Sequence, residues 1–157
     1  MTKGGYIVLS PKQMSAKQYL QQIYRCNELI QENLAEIENL RAMSTSIASP
    51  DLTKERVSST HSHEAPFVNA VNKLVDLEKT TDAKMAELLD LRMEIRETIS
   101  LVEDAKQILV LRYRYIDFIK WEDIAEKMDY ALKSVYRIHS AALDSVADIL
   151  AARGKAA

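Results

Sequence analysis

Between Tyr130 and Leu143 the chain carries Lys133, Ser134, Tyr136, Arg137, His139 and Ser140, and no Asp or Glu. These side chains are cations and hydrogen-bond donors, suited to holding an anion rather than to breaking a bond. A guanidinium presents a planar fork of donors that matches phosphate or the O6/N7 edge of guanine, whereas an ammonium is a compact point charge. Positions 133 and 137 are four apart, so on a helix they share a face. Basic, hydroxyl and aromatic side chains on one exposed helical face are what contacts to phosphates and major-groove base edges require. A solvated helix whose charges happen to be positive has the same composition, so the surroundings of the run must decide between the two.

No other set of residues makes a stronger chemical signal. Cys26 is the single cysteine. It has no thiol partner for a disulfide or a zinc site, and inside a helical pattern it reads as a small buried or half-buried side chain. His61, His63 and Glu64 stand close together in a Ser/Thr-rich stretch, yet two histidines two residues apart, without a third ligand, do not make a metal site. The chain has no Gly-rich phosphate loop, no His/Cys/Glu set at helical spacing and no nucleophile beside a base. Enzymatic activity is therefore not expected, and no catalytic residue, metal or cofactor is assigned. Trp121 and Tyr113 read as packing residues.

The elements that must position the basic run are helical. Only three Gly and three Pro occur, all outside the segments with apolar periodicity, which is the punctuation of an all-α fold. No apolar run approaches the roughly 18 residues of a membrane span, and the N-terminus has no signal-like apolar region, so a cytoplasmic chain without a membrane partner is expected. The net charge of -2 argues against indiscriminate nucleic-acid coating. From Ala105 onward, however, nine Lys/Arg face seven Asp/Glu, so the mild basic surplus lies in the last third.

Residues 1–13 show no helical period and are expected to be a flexible tail, with Met14 a possible start. Residues 14–104 read as a helical hairpin. Leu20, Ile23, Ile30, Leu34 and Ile37 form a coiled-coil stripe, with Asn27 on the seam. Residues 44–66 contain nine Ser/Thr in 23 positions and read as a loop. From Phe67 to Val102, positions at alternating steps of four and three make a seam roughly 50 Å long, opened by Pro66. The 14–47 helix folding back antiparallel, a second copy of the chain, or both, must cover that stripe. A homodimer through the hairpin is expected.

Residues 105–152 carry a denser pattern. Ala105 to Tyr115 reads as a helix burying Ile108, Leu109, Leu111 and Tyr115. Trp121 to Met128 reads as two turns with Ile124, Ala125 and Met128 inward, and its acids Glu122, Asp123 and Glu126 favour the start of a helix. Asp129-Tyr130-Ala131 then separates it from a helix over Leu132–Leu150 whose inward set is Leu132, Val135, Ile138, Leu143, Val146 and Ile149. Two helices so joined form a helix-turn-helix. Small Ala125 permits a close crossing, Val135 and Ile138 pack back on it, and Ile124, Met128 and Tyr130 complete a small core. Asp129 stands at the turn position that favours a left-handed backbone.

The run ILVLRYRYIDFIKWEDIAEKMDYALKSVYRIHSAAL resembles region 4 of primary sigma factors. It is closer still to phage regulators of the RinA and ArpU type and to a related streptococcal prophage family of unassigned function. The resemblance covers residues 107–143 well and the rest only in general architecture. It implies an all-α chain, a long antiparallel hairpin followed by a sigma region 4-like helix-turn-helix, in which Lys133, Ser134, Tyr136 and Arg137 read DNA. Lys120 and Ala131 stand where the family pattern has hydroxyl caps, and each lost cap costs about 1 kcal/mol of helix stability. The implied function is control of phage transcription through double-stranded DNA, with host RNA polymerase a second candidate partner. A DNA-packaging protein like a terminase small subunit, or a purely structural coiled-coil protein, are the alternatives.

Overall fold

The computed structural model describes residues 7–48 and 64–156. Its elements are α1 (Pro11–Leu20), α2 (Gln22–Ala48), α3 (Glu64–Ser100), α4 (Ala105–Leu111) with a π-helical turn over Arg112–Ile116, α5 (Trp121–Met128) and α6 (Leu132–Ala156). All are helical, and among the described residues there is no strand.

The chain divides into two compact units, Met1–Arg25 with Leu88–Ala157, and Cys26–Glu87. The division does not follow the expected boundary between 14–104 and 105–152. The reason lies in the core of the first unit. Leu20, Ile23, Ile95, Ile99, Leu111, Leu143 and Val146 are buried together in it, and they come from α1, α2, α3, α4 and α6. The C-terminal helices thus share one core with residues far upstream.

The expected tail is also corrected. Residues 1–6 lie outside the described residues, but Ser10 caps α1: its Oγ accepts from the Gln13 N–H at 3.2 Å, and the Gln13 Oε1 accepts from the Ser10 N–H at 2.9 Å. Pro11 occupies the first turn, where its missing N–H costs nothing. Gln13 is buried. At the other end of the hairpin stretch, α2 continues to Ala48 and α3 begins at Glu64, so the expected 44–66 loop loses residues at both ends.

Within Cys26–Glu87, Cys26, Ile30, Ile37, Leu40 and Thr81 are buried. Cys26, not Asn27, takes the seam position between Ile23 and Ile30. The Cys26 thiol faces the Lys84 carbonyl at 3.7 Å, and Arg41 pairs with Glu78 at 2.6 Å. Leu29, Met43, Val68, Val75 and Met85 are exposed large apolar residues of this unit.

In the first unit Asp104 caps α4, accepting from the N–H groups of Lys106 and Gln107 at 2.8 and 3.1 Å. The helix then widens: the Asp117 N–H donates to the Arg112 carbonyl, a five-residue π-type step. Val110, Leu111, Tyr115 and Ile116 are buried around this step, while Leu109, expected to be buried, is exposed. The segment ends at Phe118, whose φ of 56° is left-handed. That strain is offset where the ring meets Tyr24 edge-on at 5.6 Å and packs on the core.

Candidate nucleic-acid interface

The basic run lies on the first three turns of α6, and α5 holds those turns in place. Lys120 stands at the N-cap of α5 and contributes no side-chain cap. It ends at Asp129, with φ 55° and ψ 45°, where the Tyr130 N–H donates to the Ala125 carbonyl at 3.0 Å. Asp is one of the few non-Gly types that adopt this left-handed conformation at modest cost. Ala131 then accepts from the N–H groups of Ser134 and Val135, opening α6 without a side-chain cap. Ile124, Ala125, Val135 and Val110 form the buried centre of a small second core, with Met128, Leu132, Ile138 and Trp121 packed around it. Tyr130 is not part of it; its exposed ring lies 5.3 Å from the Lys106 ammonium.

The buried side of α6 runs through Val135, His139, Ala142, Leu143, Val146 and Ala147, at steps of three and four as a core-facing stripe must. Lys133 and Arg137 lie off that stripe and are exposed, and Ser134 and Tyr136 are half-buried. Among the described residues neither Lys133 nor Arg137 has an ion-pair partner. Tyr136 rests edge-on against Trp121 at 5.4 Å, and the Arg114 guanidinium covers Trp121 at 4.8 Å.

His139 is the clear correction. It is 6% exposed, four residues from Val135 on the core stripe, and cannot belong to an outward face. Its Nε2 shares a 2.7 Å hydrogen bond with the Tyr115 hydroxyl, and its ring meets Trp121 at 4.6 Å. Burial, and after it the charges of Lys17 and Arg114, push its pKa down to about 3, so the imidazole is neutral. Burial likewise pushes the Tyr115 phenol up. The pair is a satisfied polar contact that fixes the rotation of α6 against the π-helical turn.

Ser140 is corrected as well. It is half-buried against α1, where Gln13 Nε2 donates to its carbonyl at 3.1 Å, to its Oγ at 2.9 Å and to Asp144 Oδ2 at 3.0 Å. One turn further along α6, Lys12 pairs with Asp148. The candidate surface therefore has four of the six expected residues, Lys133, Ser134, Tyr136 and Arg137, and α1 beside it. The signal for α1 was in the sequence: Ser10-Pro11-Lys12-Gln13 matches a capping box with proline at the first helical position. His61 and His63 lie outside the described residues.

One family model, described as "Protein of unknown function (DUF1492)", matches residues 46–147. No curated protein and no solved structure matches the chain.

Proposed function

Because the chain belongs to the DUF1492 family of proteins of unknown function, we propose from its own surface chemistry that it is a DNA-binding regulator of phage or prophage transcription, acting in the cytoplasm without catalysis. In this reading α5, the Asp129–Ala131 turn and α6 form a helix-turn-helix resembling sigma region 4, and α6 enters the major groove. One observation carries it: Lys133 and Arg137 are exposed on one face of α6, free of ion pairs among the described residues, in a run without acids. Unpaired cations at that spacing suit phosphate and base-edge contacts. No helix of the described residues is long and apolar enough to cross a membrane.

The antiparallel hairpin of α2 and α3 serves in this reading as a dimerisation device. Its support is that large apolar residues of both helical stretches, Leu29, Met43, Val68, Val75 and Met85, are exposed in one small unit. A dimer presents two α6 helices and raises the effective concentration of the second once the first is bound. Host RNA polymerase is the second candidate partner for the same face. Selection from a randomised duplex pool by the full chain tests the proposal: enrichment of one motif is expected. A pool that stays random while the protein remains folded contradicts sequence-specific binding.

A further inference from the structure

The exposed face of α6 changes sign along its length. After Lys133 and Arg137 come Asp144 and Asp148, both exposed. Carboxylates continuing the face would repel a phosphate backbone lying along the helix. α1 changes this. Lys12 pairs with Asp148, and Gln13 Nε2 donates to Asp144 as well as to Ser140. Lys12 and Gln13, side by side at the start of α1, thus reach the stretch of α6 from Asp148 back to Ser140. Lys17 lies one turn beyond Gln13 on the same side of α1. Gln13 bonds Ser140 and the Lys17 charge acts on His139, so Lys17 lies near the turn of α6 that also holds Tyr136 and Arg137. Lys17 is half-buried, and among the described residues it has no ion-pair partner.

We propose that α1 is part of the nucleic-acid surface: Lys17 contacts a backbone phosphate beside the α6 helix, while Lys12 offsets the charge of Asp148, one of the two carboxylates that would repel it. The inference rests on the DNA-binding reading above and adds a contact from a helix more than a hundred residues away in sequence. A phosphate contact positions the protein and carries no base preference. Lys17 therefore differs in kind from Arg137: it contributes to every duplex alike.

The test is a fluorescence anisotropy titration of the full chain against a labelled duplex of mixed sequence, repeated over a series of salt concentrations. Lys17→Gln and Lys17→Met both keep the aliphatic stem and remove the charge, and circular dichroism checks the fold of each. The slope of log affinity against log salt is expected to flatten by about one for either variant, with affinity several-fold weaker at low salt. Lys17→Arg should restore both. If the wild-type chain binds, Arg137→Ala weakens it, and the uncharged Lys17 variants match wild type, α1 is not a contact and the inference fails alone. If the wild-type chain does not bind the duplex even at low salt, the DNA-binding reading fails and takes this inference with it.

Discussion

The two units bury their helices in different ways. In Met1–Arg25 with Leu88–Ala157, five helices converge on Leu20, Ile23, Ile95, Ile99, Leu111 and Leu143, all fully buried. In Cys26–Glu87, two helical stretches meet along a seam that includes Thr81 and half-buried Glu78, and Met85 on the same seam is 42% exposed. The α3 heptad runs through both without a break in its spacing. A regular seam is thus compatible with a dry core or with a half-wet pairing. What differs is the number of other elements that arrive to cover it, which is decided by residues distant in sequence.

Acid should widen the difference most. His139, in the first unit, has its pKa lowered from 6.5 to about 3. The unfolded chain therefore takes up a proton there before the folded chain does. The stability tied to His139 is whole above pH 6.5 and is lost as the pH falls toward 3, by at most about 5 kcal/mol. Urea midpoints followed by the fluorescence of Trp121, the only tryptophan, should fall between pH 7 and pH 4. They should fall less steeply in His139→Gln, which keeps a partner for the Tyr115 hydroxyl and cannot titrate. Equal slopes would show that His139 is not buried as a neutral base.

A matched pair of truncations on α3 measures the cores themselves. Ile99→Ala leaves a cavity among fully buried neighbours and is expected to cost about 2–5 kcal/mol. Met85→Ala, at an exposed seam position, should stay within about 0.5 kcal/mol. Helix propensity favours alanine at both sites, so packing is the variable. A large and concentration-dependent cost for Met85→Ala would mean that a second copy covers it, which sharpens the dimer proposal.

A smaller effect is expected at the Tyr115–His139 contact. Tyr115→Phe removes the 2.7 Å hydrogen bond and leaves a buried ring nitrogen without its partner, at a cost of about 1–3 kcal/mol. Thermal unfolding read at Trp121 should report it, while thiol labelling of Cys26, in the other unit, should be unchanged in rate under native conditions. The Cys26 thiol is pushed up chiefly by burial, and so reacts slowly until that unit opens.

What the sequence disclosed follows the same division between local and distant causes. The bounds of α5 and the start of α6 were legible because their determinants are adjacent: first-turn acids, small Ala125, the Asp129 turn and Val135 ten residues on. All-helical character was legible from the placement of six Gly and Pro residues. His139 has the polar type of the outward run, but its step of four from Val135 puts it on the core stripe. The partner that draws Ser140 toward α1, Gln13, is 127 residues away, so no local signal marks it. The π-helical turn and the left-handed Phe118 had no turn residue to announce them. The acid-free run around Lys133 and Arg137 is legible in the sequence, whereas the start of α1 at Pro11 falls inside the expected tail and the break between α1 and α2 inside the expected 14–47 helix.

The most direct measurement is a binding titration of folded Arg137→Ala at fixed salt, against the duplex motif recovered by selection and against its scrambled version. A bidentate contact from Arg137 predicts a loss of about 1–3 kcal/mol on the motif and relaxed preference at one base pair, with little change on the scrambled duplex. Unchanged affinity for both, with circular dichroism confirming the helices, would contradict α6 as the reading element and leave a protein partner as what its basic face contacts.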